Sequence, residues 1–297
     1  MDLSSYLEFL GNNLLFNISI ILIGFILGWF MYSKIILRKI NLRDALFEKD
    51  NLAAWIEFLG AFIFPTLYLA AKAIEGSADE NVFIDLLICI GYEVGFIVIF
   101  TILRLFSDII IKQISPPDVE GRISLNNEVY NQKNVSAALF SATLSIISVS
   151  FIRFIDFMPD EIFASMFKVS SIIIFTLLAF VVYSLILRAK TTLFKEIFVD
   201  NNPAAGVAVA GFILAVETIL TNIVEFQVEF DFIDLLIFSA IGLLVFVVLA
   251  FILKWLFTKI LKVDIWSEVY EQNNIGAAIG QVVLYVGIAN IIIHFLK

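Results

Sequence analysis

Three carboxylates stand inside long apolar runs of this chain: Glu57, Glu93 and Glu217. An acid placed so deep is costly in lipid, and it is held there by a partner or by a task such as loading a proton or a cation. Glu57 follows Asn51 by six residues, ~9 Å along a helix at about 1.5 Å per residue, among Ala53, Ala54, Gly60 and Ala61. Those small neighbours at i±3 and i±4 turn it toward a packed interior. Glu93 falls near the middle of its run, and Glu217 stands with Thr218, Thr221 and Asn222 nearer the far end of another. Ser141 and Gln281 add polar groups at nearly the depth of Glu57 in other copies of the same pattern, where the third copy has Ala208. A line from Glu217 through Glu93 to Glu57 would conduct protons or cations. The competing reading makes each group a polar clasp between helices, or makes Glu93 a neutral acid bonded to Tyr92.

The elements that must hold these groups are membrane helices. The chain has 297 residues, 61% hydrophobic and 16% charged, with a mean hydropathy of +0.99. Soluble domains are about 45–50% apolar. Eight apolar runs, near 15–37, 52–74, 82–105, 135–155, 162–187, 204–224, 232–256 and 275–296, each approach the roughly 20 residues a bilayer core requires. They lack the alternation of an outer-membrane barrel, so helices are the way to satisfy their backbone groups. The expectation is an all-α, eight-span membrane protein. Residues 1–13 hold no Lys or Arg, unlike the basic start of a signal peptide, so the first run is expected to remain. Cys89 is the single cysteine, which rules out a disulfide framework within the chain. The break from Ser107 to Lys133, with Pro116, Pro117 and Gly121, reads as a loop.

One pattern recurs four times. LFEKDNLAA (46–54), VYNQKNVSAA (129–138), IFVDNNPAAG (197–206) and VYEQNNIGAA (269–278) each place an aromatic four residues before an Asn and small residues just after it. The capping candidates are Asn51, Asn134, Asn202 and Asn274. A longer repeat joins them: FIDLLI at 83–88 returns at 232–237, and Tyr32, Ser33 and Arg38 answer Tyr183, Ser184 and Arg188. The chain therefore divides into four-helix units at 1–156 and 157–297, each entering the membrane from the same side, so the repeats are parallel. Within each unit the order helix, basic loop, Asn, helix gives two hairpins.

These motifs, with the hydropathy, resemble the domain-of-unknown-function 350 (YjfL-like) family of bacterial inner-membrane proteins, in two tandem units that cover nearly the whole chain. The resemblance implies fold and an inner-membrane location. It brings no reaction, so no catalytic residue is carried over.

Asn is a favoured N-cap, Pro203 suits the first helical position, and small residues beyond let neighbouring helices approach. A sharper reading lets four positive helix ends converge on a vestibule that attracts an anion; Glu128, Glu196 and Glu268, six residues before their Asn, work against it. The segments before each Asn, such as 41–49 and 264–270 with Trp266, read as interfacial helices lying on the leaflet. Even-numbered spans carry the small residues and odd-numbered ones the Phe, Leu and Ile, so an inner bundle of even spans inside an outer ring is expected. Gly24 and Gly28 form one GxxxG, able to dock the first span or a second subunit. Pro65 should bend the second span. His294 beside Asn290 reads as a helix-end histidine.

Of 19 Lys and Arg, five fall between spans one and two (Lys34, Arg38, Lys39, Arg43, Lys49) and four between three and four (Arg104, Lys112, Arg122, Lys133). Three more fall between five and six (Arg188, Lys190, Lys195) and three between seven and eight (Lys254, Lys259, Lys262). The positive-inside rule then puts those connections in the cytoplasm and both termini outside. A net charge of −9 disfavours nucleic acid, which needs a basic footprint. The chain shows no Cys/His cluster, phosphate loop or nucleophile motif, so no metal, cofactor or catalytic residue is assigned and no enzyme is expected. The leading reading is an ion channel or transporter in the bacterial inner membrane. Its rival is a non-transporting scaffold or regulatory subunit that holds a protein partner. A homo-oligomer is compatible with either.

Overall fold

A computed structural model describes residues 3–75, 81–114, 123–156, 161–187, 192–226 and 232–296. Of the residues invoked above, Pro116, Pro117, Gly121, Arg122, Arg188, Lys190 and Lys297 lie outside that set, as does Phe157, where the second unit was placed. The described residues are all-α, without a strand, and contain eight helices long and apolar enough to cross a membrane. These spans are Leu14–Ile36, Leu52–Ile74, Val82–Gln113, Val135–Ile152, Ile162–Leu187, Pro203–Phe226, Phe232–Leu261 and Ile275–Phe295.

The chain is four repetitions of helix, short link helix, helix. The links are Asp44–Glu48, Leu125–Tyr130, Lys195–Val199 and Ile265–Tyr270. Each is followed, two or three residues on, by a residue in the left-handed region (Asp50, Lys133, Asn201, Asn273, φ between 45° and 55°) directly before the capping Asn. Asp and Asn tolerate that conformation; Lys133 does not by itself. Its ammonium compensates by donating to the Lys49 carbonyl of the preceding hairpin at 2.7 Å.

All four Asn residues cap as expected. Their side-chain oxygens accept from Ala54, Ala137, Ala205 and Ala277 at 2.9–3.2 Å. Each helix thereby satisfies one of its orphan N–H groups. The second span carries a π-turn, Leu59–Ile63, just before Pro65. The wider turn accommodates the proline's missing N–H.

The even spans form a row, with the second packed on the fourth, the fourth on the sixth and the sixth on the eighth. Among the described residues the row has no interface between its second and eighth spans, so it is open at both ends. This corrects the expected inner bundle. The fourth and sixth spans are 67% and 72% buried, but the eighth is 33% buried, the same as the odd-numbered third. An end member of a row has one neighbour where a middle member has two.

The link helices also differ from interfacial anchors. Val129, Tyr130, Ile197, Phe198, Val269 and Tyr270 are buried in the protein, and only Phe47 of the four motif aromatics is exposed. The GxxxG of the first span docks internally. Glu93 fills the notch over Gly24, and Thr66 covers Gly28.

Candidate functional site

The densest polar cluster joins all four spans of the first half. Glu57 on the second span is fully buried and accepts from Arg104 of the third, at 2.6 Å from Nη2 and 3.3 Å from Nε. Ser141 on the fourth span donates to the same carboxylate oxygen at 3.0 Å. The link helix adds Asn126, whose oxygen accepts from Arg104 at 3.2 Å and whose amide donates to the Ile36 carbonyl at the end of the first span at 2.8 Å. Beside it the Tyr32 and Tyr130 hydroxyls meet at 2.6 Å. Burial holds the Tyr130 hydroxyl well above its ordinary pKa, so it stays protonated.

Arg104 was counted above with the basic residues of a loop. The structure instead extends the third helix to Ile114 and buries the guanidinium, 2% exposed, against Glu57. No helical spacing connects residues 47 positions apart, so this pairing was invisible in the sequence. A buried charge needs a charged partner, which was the one available hint.

The other sequence candidates are scattered. Glu93 is fully buried, and among the described residues neither carboxylate oxygen has a hydrogen-bond partner; Tyr92 instead faces Asp156, at 3.5 Å. Glu217 lies beside Ser150 and in the field of Arg153, whose guanidinium pairs with Glu225 at 2.5 Å. Gln281 donates to the Tyr285 hydroxyl at 2.5 Å and leaves its own oxygen unpartnered. Glu57 and Ser141 are thus brought together, while no described hydrogen bond links Glu217, Glu93 and Glu57 into a line. His294 and Asn290 are exposed on the last helix.

Asn134, Asn202 and Asn274 donate to Glu128, Glu196 and Glu268 at 3.3, 2.9 and 2.9 Å. Those acids, which argued against an anion site, are partners of the caps. Three cap amides reach the next hairpin: Asn51 donates to the Val129 carbonyl, Asn134 to that of Ile197 and Asn202 to that of Val269, at 2.9–3.1 Å. Each Asn therefore starts its own helix, and Asn51, Asn134 and Asn202 also fasten the next hairpin.

The twofold internal repeat and this cap geometry agree with the comparison to known families. The family model described as Domain of Unknown Function (DUF350) matches residues 5–153 and again 157–296. The chain belongs to the DUF350 family. No curated protein and no solved structure matches it. Two DUF350 units in one chain account for the twin tyrosine pairs, since Tyr183 and Tyr270 meet at 2.6 Å in the second unit just as Tyr32 and Tyr130 do in the first.

Proposed function

We propose that this DUF350 protein passes protons or cations across the bacterial inner membrane, with both termini outside and the four capped ends in the cytoplasm. The observation that supports it is Glu93. It stands eleven residues into the third span, ~16 Å from its start at about 1.5 Å per residue, with both oxygens buried and without partners. An ionised carboxylate without a partner is very costly at such depth. Its charge state therefore changes only with a proton or a cation beside it, which makes it the loading group. Glu57 has a different part: Arg104 neutralises it and Ser141 and Asn126 complete the cluster, so it positions the first unit's helices. Glu217, near Arg153, stands toward the other end. The reading requires no cofactor and assigns no reaction.

The test is ion and proton flux in liposomes that hold the purified protein, wild type beside Glu93→Gln. Wild-type flux that falls at least about tenfold in a variant of unchanged fold is the expected result. No flux in the wild type, or equal flux in both, overturns the proposal. The scaffold reading is the second one, favoured by the uncovered face of the last span.

A further inference from the structure

Three seams hold the row of hairpins together, and they use the same helix positions. Counting from each capping Asn, the residues at +2, +6 and +9 of one hairpin face those at +4, +7 and +8 of the next. Glu57 (+6) meets Ser141 (+7). Gly60 (+9) lies so close to Ala142 (+8) that an added Cβ would come within 2.5 Å of it. Ser136 (+2) similarly fills the space over Gly206 (+4), and Val282 (+8) the space over Gly211 (+9).

On the fourth hairpin the outgoing positions are Gly276, Gly280 and Val283, and all three are exposed. An added Cβ at Gly280, or at Gly287 further along, would meet nothing within 4 Å. The stripe continues as Gly287, Asn290 and His294, also exposed, with spacings of four and three that keep one face of a helix. The Asn274 side chain bonds only Glu268 and Ala277 among the described residues, and reaches no further hairpin there. A face that binds a neighbour three times over is thus bare on the fourth, with small residues where close approach needs them.

The incoming face of the first hairpin does not match it. Its +4, +7 and +8 positions are Trp55, Phe58 and Leu59, in place of Ala or Gly at +4 elsewhere. The Trp55 indole donates to the Leu46 carbonyl at 3.1 Å, the position from which later link helices accept an Asn amide. The first hairpin is therefore a closed end, like the capping repeat of a solenoid, and head-to-tail addition of a second chain is blocked.

We infer that the eighth span is the face by which two copies of this chain pair, Gly276, Gly280, Val283 and Gly287 of one against the same residues of the other, about a twofold axis along the membrane normal. A self-complementary seam needs no incoming face, which is what a twofold interface supplies. The inference holds whether or not the chain moves ions.

The test starts from a Cys89→Ser background, since Cys89 is the one native thiol. Gly280→Cys should give a disulfide-linked species of twice the chain's mass in oxidised native membranes, and Leu244→Cys, on the exposed side of the seventh span, should not. Native mass spectrometry should show the wild type as a dimer and Gly280→Leu as a monomer that unfolds at the same temperature. A monomeric wild type, a dimer that survives Gly280→Leu, or a Gly280→Cys adduct with a different protein would overturn the inference. So would a disulfide between Val283→Cys of one chain and Leu59→Cys of another, the +9 to +8 contact that would signal head-to-tail addition.

Discussion

The two halves of this protein share a fold and differ in what fills it. Where the first half places Glu57 and Asn126, the second, in the register of its own Asn motifs, places Ala208 and Trp266. Gln281 replaces Ser141, and Lys254 falls within one residue of the place of Arg104. The consequence is visible in the packing. Glu57 and Arg104 close the first site, whereas the Lys254 ammonium lies 3.5 Å from the centre of the Trp266 ring. Aromatic side chains, Tyr183, Phe212, Phe246 and Tyr285, wall the second. The twin tyrosine pairs persist in both. A duplicated unit can therefore exchange a charged core for an aromatic one while keeping its two hairpins, because the hydroxyl pairs and the Asn seams recur in both.

The largest expected effect comes from breaking the first core. Glu57→Ala leaves the Arg104 guanidinium buried without its partner, and removal of one member of such a pair typically costs about 3–5 kcal/mol. Thermal unfolding in detergent should show that loss, and Glu57→Ala combined with Arg104→Leu should recover most of it, since the second half is stable with Ala208. A single variant as stable as the wild type would dissolve the contrast between the halves.

The seams should be alike where the cores differ. Gly206→Ala drives a methyl to 2.9 Å from the Ser136 Cα and 3.2 Å from its carbonyl oxygen, backbone atoms that cannot swing aside. Overpacking of this kind costs about 1–3 kcal/mol. Gly91→Ala, where nothing lies within 4 Å, should be neutral or slightly stabilising in the same unfolding assay.

Asn202→Ala and Asn274→Ala sharpen the point. Both lose a cap, worth about 1 kcal/mol. Only Asn202 also loses a bond to the next hairpin, about 1 kcal/mol more. Equal losses in urea titration would mean that the reach across the seam contributes nothing.

The smallest effect concerns Glu128, outside the spans, whose pKa is raised by burial against the pull of Asn134. A carboxyl with a folded pKa above its unfolded value stabilises the fold while it is protonated, and that share is lost as pH rises through the folded value. Wild-type stability should therefore fall slightly from pH 5 to pH 8 relative to Glu128→Gln. Parallel profiles for the two proteins would remove Glu128 from the balance.

Much was legible before any coordinates. Eight spans follow from run length and hydropathy, the two units from FIDLLI and the Asn motifs, and the caps from the backbone preference of Asn itself. These are local properties, set by residues within a few positions of one another. The sequence determined that four hairpins would form and where each would begin. Tertiary structure alone decided that they stand in an open row, because a capping Asn does not reveal which carbonyl its free amide will find. It also decided that Arg104 leaves the loops to neutralise Glu57, and that Glu93 stays without a partner. A buried charge is satisfied by whatever the packing brings within ~3 Å, and no periodicity along the chain encodes that distance.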